Sequence, residues 1–333
     1  MQAVDIHLLA FDASAIAYAS AYVPNLSRLA HNGLQTGVIH GTVNSVLSTL
    51  REHPNALGVI LMDGHAAWRK AILPDYKGNR QDTTEKIEIR AQVRAQLPIA
   101  LALLHELGIP LVRHPDAEAD DLAGMLVRHA QRCHIPTRMI SPDSDWWQGI
   151  GECVDWYSTR DRSRVDMAAL RTMDTKKSPP DGWRSPREYI EAKIIAGDTG
   201  DMIDGIAGAG LPTAAKILRS AKNGLAGVMR GEFDASGVVA GRVRTPDGLA
   251  LLRRNEMLID WILAPVPDPD FLGLSAYPAS PDAARQRAVD HGLQSVLKHL
   301  NPFAGNDPTR HALWPEVVRA FEHPSVTHAT LEM

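Results

Sequence analysis

Nine acidic residues in five stretches hold the chemical potential of this sequence: Asp12; Asp63; Glu118 with Asp120 and Asp121; Asp143 with Asp145; and Asp198 with Asp201. Taken singly, each has an ordinary structural explanation. An acid after a strand commonly caps the next helix, and a helix dipole favours acids in its first turn. As a set they read differently, because four stretches follow apolar, strand-like runs and the fifth follows a helix-like run ending at Gly197. Local spacings suit shared ligation. In an extended chain Asp143 and Asp145 point the same way. On a helix Asp198 and Asp201 share a face, as do Glu118 and Asp121, whereas Asp120 and Asp121 diverge by about 100° and could serve neighbouring ions. Hard cations such as Mg²⁺ prefer carboxylate and water oxygens. Two of them about 3.5–4 Å apart can clamp a phosphodiester, one delivering a water of lowered pKa and the other stabilising the leaving oxygen. Zinc would want His or Cys ligands, but the 14 histidines are scattered. His65, His114 and His129 read as structural.

Composition fits this chemistry. The 333 residues are 44% hydrophobic and 22% charged, which suits two closely packed domains or one large domain with an appendage. The net charge of −4 would argue against a nucleic-acid partner if it were evenly spread. With the nine acids set aside the rest of the chain is net positive, so local basic stretches are the footprint to seek. No apolar run is long enough for a membrane span, and Asp5 and Asp12 interrupt the apolar N-terminus, so neither a span nor a signal peptide is expected. Cys133 and Cys153 are too few for a disulfide framework and read as plain thiols of a cytoplasmic protein.

The elements that must position the acids alternate. Residues 7–13, 58–64, 109–114 and 137–145 read as strands running into turns, with helices over 37–53, 85–107 and from Glu118 onward. Such alternation predicts an α/β sheet with its site along the carboxyl edge. A Pro-rich, basic linker near 175 precedes helical segments over 185–265, read as a smaller domain, and the tail 266–333 is Pro-rich with weak helices.

The motifs LLAFDASAIAYAS, VILMDG, PDAEADDLAG, ISPDSDWWQ and AGDTGDMIDGIAGAGLPTAAKIL occur in an order that resembles the 5′ nuclease superfamily: flap endonucleases, phage 5′–3′ exonucleases and the 5′-nuclease domain of bacterial DNA polymerase I. The likeness runs from about residue 6 to 262. It implies a PIN-like nuclease domain with a mainly parallel central sheet over 1–175, a helical arch at about 66–100, and a helix–two-turn–helix DNA-binding domain over 185–265. It also implies two or more Mg²⁺ or Mn²⁺ ions. Asp12, Asp63, Glu118 and Asp120 would form the first site and Asp143, Asp145, Asp198 and Asp201 the second, with Asp121 between or in either. In the matching stretch WRKAILPDYKGNR, Lys77 and Arg80 would sit at the base of the arch, the ammonium offsetting charge on the scissile phosphate and the guanidinium forking onto a phosphate. Tyr76 could stack on a base. Arg69, Lys70, Lys86, Arg90 and Arg94 are basic residues of the same region that also suit the solvated face of a helix.

Gly205, Gly208 and Gly210 precede a helix starting near Pro212, where backbone N–H groups can approach a phosphate. By the same resemblance this element grips duplex DNA, often with a potassium ion, and Lys216 and Arg219 extend the phosphate surface. The sequence departs from the family in two places. Gly200–Asp204 replaces a Ser-Asp-Asn stretch followed by Ile-Pro, and Met62 replaces a frequent aromatic. No polymerase portion is present, which suggests a stand-alone, phage-type or accessory enzyme.

The resulting expectation is a monomeric flap endonuclease and 5′–3′ exonuclease acting on DNA with a 5′ flap or free 5′ end, or on an RNA–DNA hybrid. A non-catalytic binder of branched DNA is the main rival. An RNase H-like primer remover shares the chemistry. A short ribonuclease toxin would lack the glycine-rich element, and a regulatory phosphate-binding protein would not need nine acids.

Overall fold

A computed structural model describes residues 5–78, 83–176, 178–265, 268, 270, 272–276, 278–298 and 308–322. Its centre is the strand Leu8–Asp12, buried at every position. Parallel strands Leu57–Met62 and Thr137–Ile140 flank it, followed outward by Leu111–Arg113 and Val154–Ser158, also parallel. Each outer edge is closed by a short antiparallel strand, Gly273–Ser275 on one side and Ser163–Val165 on the other. A sheet covered on both faces needs near-continuous apolar strands, and LLAF and LGVILM supply them. The pleat sends alternate residues to opposite faces. Leu8, Ala10, Val59 and Leu61 enter one core, while Leu9, Phe11 and Ile60 enter the other.

Helices Ala13–Ala21, Gly37–Glu52 and Thr84–Glu106 cover the second core. Helix Ala119–Arg132 covers the first. That first core does not stop at the sheet. It runs on through Trp146, Trp183 and Trp261 to Ile190, Ile194, Leu218 and Leu252, so the helical segment over 185–265 shares its apolar interior with the nuclease sheet. It comprises helices Pro186–Ala196, Leu211–Arg219, Gly224–Met229, Val238–Val243 and Pro246–Ile259.

In the expected arch region, helix Ala67–Ile72 is followed by the long helix Thr84–Glu106. The C-terminal half of the long helix is packed through Ala100, Leu101, Leu103 and Leu104, while residues 83–88 at its start are exposed, including Ile87. Arg80 lies outside the described residues. The tail, given no role from sequence, returns to the sheet. Gly273–Ser275 pairs with Leu111–Arg113. Helix Pro281–Asp290 docks on the long helix with Arg287 against Glu106, and helix Trp314–Glu322 docks on Ala119–Arg132. Among the described residues no helix is long and apolar enough to cross a membrane.

Candidate active site at the carboxyl edge of the sheet

The acids gather where the parallel strands end. Asp12 closes the central strand and caps the next helix, accepting from the Ala15 N–H at 3.0 Å and the Ser141 hydroxyl at 2.7 Å. Asp63 follows the neighbouring strand and accepts from the Ala119 N–H at 2.8 Å. Glu118 caps helix Ala119–Arg132. Asp120 accepts from the Trp146 indole N–H at 2.7 Å. Asp12 and Glu118 form a buried floor, Asp120, Asp145, Asp198 and Asp201 are half-buried, and Asp63 and Asp143 are exposed at the mouth.

Two local expectations need correction. Asp143 and Asp145 are not in extended chain. The strand stops at Ile140, and Asp143 caps the 3-10 helix Ser144–Gly149 by accepting from the Asp145 N–H at 2.9 Å. Nor do Asp198 and Asp201 share a helix. Helix Pro186–Ala196 ends at Gly197, whose φ of 79° turns the chain into a small hairpin of Gly197–Asp198 against Ile203–Asp204. Asp201 sits in its turn, its N–H donating to the Asp198 carbonyl.

Asp121 turns the other way, as its 100° offset from Asp120 permits. Its carboxylate forms a two-pronged pair with buried Arg69, at 2.7 and 2.6 Å, and also accepts from the Glu118 N–H at 2.9 Å. These bonds commit both oxygens, so Asp121 braces the site from behind rather than facing it. Tyr76 is 4% exposed and its hydroxyl donates to Glu118 at 2.9 Å and to Asp201 at 3.2 Å. A ring so enclosed cannot stack on a base. Arg219 spends its guanidinium on Glu188, Asp181 and the Gly182 carbonyl, which removes it from a phosphate surface; Lys216 is exposed.

The glycines divide similarly. A Cβ at Gly205 would lie 2.0 Å from the Ala196 backbone, so this glycine serves close packing of the hairpin against its helix. Gly208 has φ +85° and is exposed, and Gly210, also exposed, precedes helix Leu211–Arg219, where an added Cβ would meet the Pro212 ring at 3.9 Å.

Lys77 reaches the acids with its backbone in the left-handed region, φ 54°, where side chains other than glycine are uncommon. Its N–H donates to the Asp201 carbonyl. Its ammonium lies 2.8 Å from Glu118 and 3.8 Å from Asp201. Burial opposes ionisation of Glu118, but Lys77 and Arg69 outweigh it and hold the carboxyl below its usual range.

Sequence reasoning missed Lys193. Buried on helix Pro186–Ala196, it donates to Asp145 and, at 2.7 Å, to Asp198. Its only signal is a lysine five residues before an acid in an otherwise apolar run, which a snorkelling surface lysine would also give. Ser141 and Trp146, the fixed donors to Asp12 and Asp120, were likewise unmarked.

Elsewhere the acids are short of positive charge. Burial, then Asp63, pushes Asp12 up to about 7. Burial, then Asp143, raises Asp120 well above the usual carboxylate range. Burial also takes Asp145 to about 7 against the pull of Lys193. A cluster of carboxylates that resists ionisation, with oxygen the only donor, fits hard divalent cations. Removal of cations has a measurable consequence. The folded chain keeps the Asp12 proton up to about pH 7, whereas the unfolded chain releases it near its ordinary 3.8. The contribution of Asp12 to stability in chelator is therefore full below about 3.8, falls as pH rises toward about 7 and is flat above. Melting in EDTA should show a higher midpoint at pH 5.5 than at pH 8, with Asp12→Asn flattening the profile; equal midpoints in the wild type would refute the assignment. Replacing Lys193 by Met should cost about 1–3 kcal/mol in chelator, because Asp145 and Asp198 lose their shared cation, and Mg²⁺ should restore part of it. A denaturant midpoint unchanged from wild type would show that Lys193 does not compensate these acids.

Residues 7–176, just over half of the chain, match the family model for the 5′–3′ exonuclease N-terminal resolvase-like domain. The chain belongs to the 5′–3′ exonuclease family. DNA polymerase I of Bacillus caldotenax is 28% identical over 222 residues, covering 64% of this chain. The match takes in 23% of the polymerase, so the chain spans about a quarter of the length of such relatives. A bacteriophage T5 flap endonuclease co-crystallised with metal ions has the same fold, with a TM-score of 0.65, 19% identity, and coverage of 95% of this chain and 100% of that one. Flap endonuclease-1 from Methanococcus jannaschii gives a TM-score of 0.54 at 15% identity over 89% of this chain and 91% of its own. Solved members of the fold carry divalent metal, zinc among them, or DNA.

Proposed function

We propose that this chain is a divalent-metal-dependent 5′ nuclease that hydrolyses phosphodiesters of DNA carrying a 5′ flap or a free 5′ end. The observation that carries the proposal is the convergence of carboxylates from five separate stretches on one sheet edge, with Lys77 facing Glu118 and Asp201 there. Asp12, Asp63, Glu118 and Asp120 would hold one ion, and Asp143, Asp145, Asp198 and Asp201 the other. Bound Mg²⁺ or Mn²⁺ would supply Lewis acidity and a water of lowered pKa.

The protein's own groups do the positioning. Ser141, Ala15 and Trp146 fix Asp12 and Asp120, so little reorganisation accompanies substrate entry. Lys77 exchanges Glu118 for the scissile phosphate and offsets the charge that grows on it. Lys193, which contacts both Asp145 and Asp198, would offset part of their charge alongside the cations they would hold. Away from the cut, exposed Lys216 and the exposed backbone at Gly208 and Gly210 support a sequence-independent phosphate grip, to which a bound potassium ion would add positive charge. Arg80 remains the proposed second phosphate contact. A monomer in the cytoplasm, acting also on RNA–DNA hybrids at primers, is consistent with this reading.

The test uses a labelled 5′-flap duplex with Mg²⁺ and with EDTA, in wild type and Lys77→Ala. Junction cleavage that requires the ion, and that falls on the order of 10²–10³ in the variant with flap affinity little changed, is expected. Binding without cutting in every divalent ion would favour a non-catalytic binder of branched DNA. No binding at all would overturn the nucleic-acid reading.

A further inference from the structure

A second group of side chains of metal-ligand type lies where the helix Trp314–Glu322 meets the end of helix Ala119–Arg132. His129 and Cys133 lie four apart on one face at the end of helix Ala119–Arg132, and Glu316 faces them from helix Trp314–Glu322. Among the described residues this is the one trio of His, Cys, Asp or Glu ligand atoms that all lie within 4.8 Å of one another. The nine acids of the nuclease site are spread more widely.

His129 Nε2 is 2.8 Å from Glu316 Oε2 and 3.5 Å from Cys133 Sγ, and that sulfur is 3.8 Å from the same carboxylate oxygen. A tetrahedral zinc ion with ordinary bond lengths spaces its ligands at about 3.5 Å for S···N and S···O and about 3.3 Å for N···O. Each observed edge falls within half an ångström of that. Thiol and carboxylate meet the same ring nitrogen, so the trio is no nucleophile relay, which would use opposite ring nitrogens. They surround a common point instead.

We propose that His129, Cys133 and Glu316 form a transition-metal site of the zinc class, separate from the nuclease centre, that fastens the C-terminal helix to the helix bearing Glu118 and Asp120. A thiolate and a carboxylate neutralise a divalent charge, and imidazole with thiolate selects zinc or cobalt over magnesium. On binding, the Cys133 thiol proton leaves to solvent and the His129 ring proton sits on Nδ1. Exposed Arg132, 3.4 Å from Nδ1, turns away. Arg319 holds the second Glu316 oxygen. Fifteen residues of helical rise, roughly 20 Å, separate Cys133 from Glu118. On this proposal His129 and Cys133, read from sequence as structural, would be ligands.

Cobalt titration of the full chain without DNA tests the site. A saturable near-ultraviolet thiolate-to-cobalt charge-transfer band, reversed by Zn²⁺ but not by Mg²⁺, is expected. The carboxylates of the nuclease centre cannot produce it. Cys133→Ser should abolish the band, Cys153→Ser should leave it intact, and Glu316→Gln should weaken cobalt binding at least tenfold. Cys133 is exposed, so its substitution leaves the fold in place, checked by an unchanged far-ultraviolet spectrum. A saturated wild type with no thiolate band, or a band that survives in Cys133→Ser, would overturn the proposal.

Discussion

Asp120→Asn should abolish metal-dependent cleavage and at the same time make the metal-free protein more stable. The two effects share one cause. Burial and Asp143 raise the Asp120 carboxyl well above its usual range, so its charge is unfavourable in the empty cluster. The amide keeps a carbonyl oxygen to accept from the Trp146 indole at the existing 2.7 Å geometry, so the local structure stays satisfied. What disappears is one anionic metal ligand. Turnover on a flap substrate should fall on the order of 10³ or more, comparable to losing a strong transition-state contact. The melting midpoint in EDTA should rise, by the equivalent of about 1–2 kcal/mol. Wild-type activity in the variant would remove Asp120 from the metal set. A lower midpoint in EDTA would mean that the carboxylate stabilises the fold, contrary to its surroundings.

Arg69→Ala should produce the largest loss of stability of any single change near the site. Arg69 and Asp121 are both almost wholly enclosed, and the guanidinium grips the carboxylate with two parallel bonds. Removal of one partner leaves a buried charge without compensation and costs about 3–5 kcal/mol. A cavity beside Trp68, which the guanidinium also covers at 4.3 Å, adds to that. The paired substitution Arg69→Met with Asp121→Leu should recover much of the loss, since an apolar pair of similar volume is often neutral. Urea denaturation of the single and paired variants measures this directly. If Arg69→Ala is stable while Asp121→Asn alone destroys activity, Asp121 belongs with the metal ligands and the ion pair is incidental.

These two residues also mark how far the sequence could be read. The strands around Asp12 and Asp63 were legible because an apolar run ending in an acid looks alike in sequence and in space. The α/β sheet with its acids at the carboxyl edge follows from that pattern. Local backbone geometry was less legible. A six-residue 3-10 turn after Ile140 and a hairpin after Gly197 both look like strand or helix when judged by residue type alone. Pairing across long separations was not legible at all. Nothing near Asp121 announces that Arg69, 52 residues away, will claim it, and nothing near Asp145 announces Lys193, 48 residues on. Tyr76, which the resemblance offered as a stacking ring, is instead buried in the core with its hydroxyl on Glu118 and Asp201, partners that nothing in its own stretch announces.

The antiparallel strand Gly273–Ser275 has a consequence for synthesis. It covers Leu111–Arg113, which the chain makes about 160 residues earlier. A nascent chain that has emerged only to the end of the nuclease motifs therefore carries a sheet whose outer hydrogen-bonding groups face water and other chains. At the ribosome's pace of roughly 5–20 residues per second, that edge stays open for several seconds. A truncation after residue 265, although it would keep every acid of the site, would leave the edge open permanently and should yield a product prone to self-association.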